Sequence, residues 1–160
     1  MTNITLDNIK EFMSHLFIKN TFDSFLCKEI SIDTFVPFRI DGTIMTDFLN
    51  DIEKEELKDN QYIPWSMLKP YCFNIIKGNR TPLSLKAVFA APKSYIADFV
   101  SHNGLSVSPD MINGLYLNIR YEKRCLNIIT GTSLSSFTLD RTVEQAWDEA
   151  VEHFIISHCN

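Results

Sequence analysis

The sequence lacks the short motifs on which most enzyme assignments rest. Its 160 residues contain no G-x-S-x-G nucleophile elbow and no glycine-rich loop that ends in Lys-Ser or Lys-Thr. No serine or cysteine stands in a pattern that would bring a nucleophile, a base and an orienting group together. We therefore assign no catalytic residue and favour a non-enzymatic protein.

Cysteine and histidine are too sparse and too scattered to predict a metal site. None of the cysteines forms a C-x-x-C pair, and His153 and His158 have no third ligand at a defined spacing. We therefore predict neither a metal nor a cofactor. The four cysteines are Cys27, Cys72, Cys125 and Cys159.

Long hydrophobic runs are also missing. No apolar stretch approaches the roughly 18 residues that a membrane span requires. The first ten residues, M-T-N-I-T-L-D-N-I-K, do not combine a charged segment with an apolar one, as a secretory leader does. Together with the unpaired pattern of the cysteines, this predicts a cytoplasmic protein that does not contact a membrane.

A basic charge excess is absent as well. The 15 Lys and Arg residues are outnumbered by 20 Asp and Glu residues, which leaves a formal net charge of −5. General nucleic-acid binders usually carry a basic field, so this class of function is disfavoured. A local basic patch remains compatible with the composition.

The chain contains enough apolar residues to form one hydrophobic core. Hydrophobic residues make up 45% of it, and 12 of them are phenylalanines. This length and composition predict one globular domain, residues 1–160. Helical and strand periodicities alternate along it, so we predict an α+β fold with a mostly antiparallel sheet that helices cover on one face. The predicted elements include a first helix over 5–19, strands over 83–90 and 134–139, and a three-residue connection at 122–124.

The order helix, hairpin, helix occurs twice in this prediction, at about 5–58 and 92–158. The recurrence suggests a degenerate helix-hairpin-helix duplication, although no repeat is visible at the level of residues.

The first candidate site is the segment of residues 77–82, which connects a predicted helix to a predicted strand. Lys77 and Arg80 flank Gly78-Asn79, so two cations and exposed backbone N–H groups could converge on an anion such as phosphate. The alternative is purely stabilising, because basic residues near a helix C-terminus interact favourably with the helix dipole.

The second candidate is a cluster of hydroxyls around Gly131, namely Thr130, Thr132 and Ser133, which we expect to interrupt a strand. Hydroxyls and exposed amides can hold phosphate or a carbonyl, whereas the structural alternative is a turn or a β-bulge. Arg120 falls on the polar side of its predicted strand, where it could share a shallow binding surface with other polar side chains or simply be solvated. These side chains are Lys86 and Tyr116.

Six segments of the chain are distinctive in combination: F-R-I-D-G (38–42), I-K-G-N-R-T-P-L-S-L-K (76–86), N-G-L-Y-L-N-I-R (113–120), T-G-T-S-L (130–134), F-T-L-D (137–140) and A-W-D-E (146–149). Together they resemble a known but uncharacterised family. The resemblance runs nearly end to end and is to small proteins from anaerobic Gram-positive bacteria that are catalogued only as a domain of unknown function. It implies a single-domain bacterial intracellular protein, and it carries no reaction or ligand.

We therefore interpret the chain as an intracellular binding or adaptor protein that contacts either a protein partner or a small anionic ligand. The contact surface would be the polar face of the sheet or the Lys77–Arg80 corner. The alternative is a small nucleotide- or phosphate-binding domain or enzyme that uses Lys77, Arg80, Arg120 and the Thr130–Ser133 segment around phosphate. A homodimer that forms through an exposed sheet edge is a third hypothesis.

Overall fold

The computed structural model describes residues 1–78 and 80–159. In this part of the chain seven strands form one sheet, in the order β1-β7-β6-β5-β2-β3, with β4 paired to β2. Every strand pair is antiparallel. The strands are β1 (Asn3–Leu6), β2 (Leu26–Asp33), β3 (Pro37–Asp41), β4 (Ile63–Pro64), β5 (Ser84–Ala90), β6 (Ile112–Glu122) and β7 (Cys125–Leu134). The helices are α1 (Ile9–Phe17), α2 (Asp51–Leu57), α3 (Trp65–Ile76), α4 (Lys93–His102) and α5 (Thr142–Cys159), with 3-10 turns at Thr46–Phe48 and Pro109–Met111.

The predicted α+β class and the antiparallel sheet with helices on one face are confirmed. The alternation along β6 shows why one face is covered. Leu115, Leu117 and Ile119 are fully buried, whereas Asn118 is half-buried and Arg120 exposed. Successive side chains of a strand point to opposite faces, so the apolar set packs against the helices and the polar set lies on the open face.

Part of the core lies where α1 and α3 meet the sheet. Trp65, at the start of α3, has no exposed surface, and its indole N–H donates to the carbonyl of Leu16 over 2.9 Å. Its ring contacts those of Phe17 and Phe89 at centroid distances of 5.8 and 5.1 Å. Pro70 lies inside α3, which runs from Trp65 to Ile76.

Two local predictions are wrong because partner strands override the local pattern. The first helix begins at Ile9, after the cap residue Asn8, because the preceding residues form β1 and pair with β7. The expected strand over 134–139 does not form, since Leu134 is the last residue of β7 and pairs with Ile112 after a register shift in β6. The helix–hairpin–helix order does recur, as α1-β2-β3-α2 and α4-β6-β7-α5. A duplication as its origin stays a prediction.

Candidate anion-binding groove

The β6–β7 hairpin ends in an unusual two-residue turn. Glu122 pairs with Cys125, so the connection consists of Lys123 and Arg124 alone, one residue shorter than predicted. Both have positive φ angles, 51° and 61°. Hairpin turns of this kind favour Asn-Gly, because a left-handed conformation costs a residue with a Cβ about 1–2 kcal/mol. The hairpin therefore presents two long cationic side chains at a conformational cost.

A groove of about 570 Å³ lies beside this turn, between α1, the end of α3 and the segment that leads into β5. Its volume is within the usual range for small-molecule sites. Its floor is apolar and comes from both helices and from the covered face of the sheet. The floor residues are Ile9, Met13, Phe17, Ile76, Leu85 and Tyr121.

The charges around this groove all have one sign. Lys10 of α1, Arg80 and Arg124 of the hairpin turn line it, and no carboxylate is among its described lining residues. Within residues 1–78 and 80–159, none of these three side chains makes a hydrogen bond or an ion pair. In a chain with a net charge of −5, this groove is a local positive site. We call it the basic groove.

The predicted corner contributes to the groove in part. Lys77 caps α3, and its backbone N–H donates to the carbonyl of Phe73 over 2.8 Å, but it is not among the groove's lining residues. Gly78 has a φ of +135°, which side-chain-bearing residues rarely adopt, so the expected helix stop has a clear cause. Asn79 lies outside the described residues. Arg80 is the member of the predicted site that lines the groove.

Arg120 lies on the other face of the sheet. Arg120 of β6 pairs with Lys86 of β5. Lys86 pairs in turn with Ser31 of β2, and Ser31 pairs with Arg39 of β3, so the three cations lie in one row across the sheet. Together they border a shallow depression of about 470 Å³. Unlike the basic groove, this depression also contains carboxylates, namely Asp33 and Glu122.

Part of the charge in this depression is already neutralised. Arg39 contacts Asp33 over 2.6 Å, and the Ser84 hydroxyl donates to the same carboxylate over 2.6 Å. These contacts, the one from Ser84 above all, hold the pKa of Asp33 below its usual range. Lys86 approaches Glu29 to 4.0 Å. Within the described part of the chain, cations of the open face are thus paired with carboxylates, unlike the three cations of the basic groove.

Tyr116, which we grouped with these cations, lies further along the same face. The ammonium group of Lys28 sits 5.4 Å from the centre of its ring. Burial raises the pKa of the Tyr116 hydroxyl, and the nearby Tyr62 adds to this effect. Tyr116 is absent from the lining of the depression around Arg120.

The Thr130–Ser133 segment is not a loop, and the expectation that it interrupts the strand is wrong. Each of its residues pairs with β6, Thr130 with Leu117 and Ser133 with Gly114. Thr130 is 1% exposed, donates to Asp148 over 2.5 Å and accepts the N–H of Thr2 over 2.8 Å. Its hydroxyl therefore ties β7 to α5 and to the strand at the sheet edge.

The hydroxyl segment and the basic groove lie toward opposite ends of the β6–β7 hairpin. Thr132 is six residues along β7 from Leu126, the partner of Tyr121 on the groove floor. At about 3.4 Å per residue this separation is on the order of 20 Å. The six predicted residues therefore do not form one site. Lys77 caps α3, Arg80 lines the groove, and Arg120 lies on the open face. Thr130, Thr132 and Ser133 lie at the far end of β7.

Sequence reasoning missed Lys10 and Arg124. Lys10 flanks the apolar stripe of α1, and Arg124 belongs to a hairpin connection, and each of these local contexts predicts an ordinary solvated cation. Only the meeting of segments that are distant in sequence makes them neighbours of Arg80.

Two other kinds of site find no support in the described part of the chain. No group of three or more His, Cys, Asp or Glu residues there could hold a metal ion. No helix there is both long enough and apolar enough to cross a bilayer.

A protein-family model described as "Family of unknown function (DUF5721)" matches residues 15–159. The chain belongs to the DUF5721 family. Neither a curated protein nor a solved structure matches it significantly. The DUF5721 match includes Arg80 and Arg124 of the groove, whereas Lys10 precedes it. The bacterial source that we expected stays a prediction.

Proposed function

We propose that this DUF5721 protein is a non-enzymatic binding protein that holds a small anionic amphiphile, a molecule with one acidic group and an apolar body, in the basic groove. The observation that carries this proposal is the combination of an apolar floor with a rim of Lys10, Arg80 and Arg124. An anionic head would meet the rim while the apolar body covers the floor.

The rim supplies the attraction for the head group. Hydrogen bonds between a guanidinium and a carboxylate or phosphate are charge-assisted and often bidentate, and two of the three cations are arginines. Since no described carboxylate lines the groove, a ligand anion would not compete with an internal partner.

The floor supplies the selectivity for an apolar body. Each methylene group that leaves water contributes about 0.8 kcal/mol, which corresponds to about a fourfold change in affinity. Affinity should therefore rise with alkyl chain length until the floor is covered. A bare inorganic anion would gain nothing from this surface.

The hairpin turn supports the proposal independently. Lys123 and Arg124 occupy a conformation that Asn-Gly would adopt with less strain. Strained backbone is often retained where it positions functional side chains, and here it places Arg124 at the groove.

The separation of the other predicted residues supports this proposal over the nucleotide- or phosphate-binding alternative. That alternative requires Arg80, Arg120 and the Thr130–Ser133 segment to surround one phosphate. A protein partner and a homodimer stay predictions, as does the cytoplasmic location.

The test is calorimetric titration of the protein with decanoate below its micelle concentration, compared with decanol and with acetate. We expect decanoate to bind more tightly than either control. Arg80→Ala and Arg124→Ala should each weaken decanoate binding about tenfold, because each removes a charge-assisted contact.

The matched control is Lys58→Ala, which removes one exposed cation on the C-terminal side of α2, outside the groove. It should leave decanoate binding unchanged. Equal affinities for decanoate and decanol, or equal losses in Lys58→Ala and Arg80→Ala, would contradict the proposal.

A further inference from the structure

A second hollow lies on the covered side of the sheet, where α4 and α5 pass over β6. It is a cavity of about 120 Å³. Four aromatic rings dominate its wall, and Leu117 of β6 forms part of it. These rings belong to Phe25, Tyr95, Trp147 and Phe154. We call it the apolar cavity.

The lining of this cavity is uncharged. None of its described lining residues is acidic or basic. The Trp147 indole N–H already donates to the carbonyl of Tyr116 over 3.0 Å, so this side chain offers only its ring. The hydroxyls of Ser24 and Tyr95 are the polar side-chain groups in the lining, and burial raises the pKa of Tyr95, which keeps it neutral.

The size of the cavity limits what it can hold. Empty apolar cavities of about 150 Å³ in other proteins stay dry and take up benzene, because water finds too few polar partners there. A partly enclosed cavity of about 120 Å³ suits a single ring. A charged group inside it would remain unpaired and is disfavoured.

From this geometry we propose that the apolar cavity is a binding site for a small uncharged aromatic molecule with one ring and one polar substituent. The ring would pack against Trp147, Phe25 and Phe154 in edge-to-face contacts, and the substituent would reach the hydroxyl of Ser24 or Tyr95. This site does not depend on the basic groove, so either proposal can fail alone.

The two tryptophans provide a built-in test with phenol as the probe. The side chain of Trp147 lines the cavity, whereas the indole N–H of Trp65 donates to Leu16 inside the core. In NMR titrations, phenol should shift the Trp147 indole signal with a Kd of about 1 mM or tighter and leave the Trp65 signal in place. Benzoate, which has the same ring and a charge, should bind at least tenfold more weakly.

Filling the cavity should abolish this response. Ala150→Leu places a larger side chain in the lining, and Ala97→Leu makes the same change on an exposed position of α4. We expect at least a tenfold loss of phenol affinity in the first variant and none in the second. If Ala150→Leu does not fold, Ala150→Met applies the same test with a more flexible side chain.

Two results would overturn the proposal. One is the absence of a Trp147 shift at phenol concentrations far above the expected Kd. The other is phenol binding that survives unchanged in the folded Ala150 variant.

Discussion

The two hollows of this protein share one strand and differ in what covers it. Tyr121 of β6 lies on the floor of the basic groove, and Leu117, four residues earlier on the same face, lines the apolar cavity. At about 3.4 Å per residue they are on the order of 14 Å apart. The strand offers both sites the same kind of buried apolar surface.

The covering segments make the difference. Over the groove, α1, the segment between α3 and β5, and the hairpin turn each bring one cation to the rim. Over the cavity, α4, α5 and the segment before β2 bring four aromatic rings and no charge. Ligand class is thus set by the elements that pack on the sheet and by their side chains, while the sheet itself supplies the apolar floor.

The largest expected effect is on stability at the cavity end. Leu117→Ala removes a fully buried side chain, so we expect the free energy of unfolding to fall by about 2–5 kcal/mol. Urea denaturation measures this. Arg124→Ala, at the rim of the groove, should change stability by less than about 1 kcal/mol. Similar losses in the two variants would remove the contrast between a structural floor and a functional rim.

The second largest effect distinguishes decanoate binding in the groove from phenol binding in the cavity. The double variant Arg80→Ala/Arg124→Ala should lose about a hundredfold in decanoate affinity, because two charge-assisted contacts disappear. Its response to phenol should be unchanged, as measured by the Trp147 indole signal. A loss of both responses would mean that the two hollows are not independent sites.

At the hairpin turn, one substitution is expected to raise stability and to weaken ligand binding. Replacing Lys123-Arg124 by Asn-Gly should raise the free energy of unfolding by about 1 kcal/mol, because these residues adopt positive φ with less strain. The same change removes a groove cation and should weaken decanoate binding. Thermal and urea unfolding, together with calorimetry, measure the two effects.

The control for this change is Lys123→Asn, which keeps Arg124. It should retain decanoate binding and gain part of the stability. A turn variant that binds decanoate as well as the wild type would show that Arg124 does not contact the ligand.

A smaller effect is expected from salt, which should weaken ligand binding in the basic groove and not in the apolar cavity. Raising ionic strength from about 0.1 to 1 M shortens the screening length from about 10 to 3 Å, so decanoate binding at the exposed rim should weaken by a few-fold. Phenol binding in the uncharged cavity should not weaken. Calorimetry in matched buffers provides both values, and an equal salt response at the two sites would contradict the charge assignment.

The smallest effect concerns thiol reactivity. Burial raises the pKa of Cys27 and of Cys72 to about 12, so both stay as unreactive thiols at pH 8. Cys125, next to Arg124 at the hairpin turn, is exposed. Iodoacetamide should therefore modify Cys125 well before the two core cysteines, as mass spectrometry of digests can follow. Early modification of Cys27 would contradict the packing around it.

Local periodicity was sufficient to predict much of the fold. The α+β class, the alternation of β6 and the helix stop before Arg80 all follow from patterns within a few residues. Pairing between distant segments was not visible in this way. The four residues of β1 are ordered by β7, and the Thr130–Ser133 segment stays in its strand because β6 provides a partner for each residue.

The candidate site, too, could be predicted from the sequence only in part. Arg80 could be singled out because it stands beside a helix stop, where a glycine and a proline mark the break. Lys10 and Arg124 are separated from it in sequence by 70 and 44 residues, as their numbers show, and meet it only in the folded chain. The high phenylalanine content is compatible with plain core packing or with a pocket lined by aromatic rings. Which rings line the apolar cavity could not be predicted, because they come from segments that are distant in sequence.

The most direct test of the basic groove is an amide NMR map of isotope-labelled protein during a decanoate titration. If the groove binds the anion, signals should shift around Lys10, Arg80 and Arg124 and on the groove floor, with saturation at one ligand per chain. The Trp147 indole signal at the apolar cavity should stay in place. Shifts confined to the cavity or to the open face around Arg120, or no saturable shift, would contradict the proposal that the basic groove is the binding site.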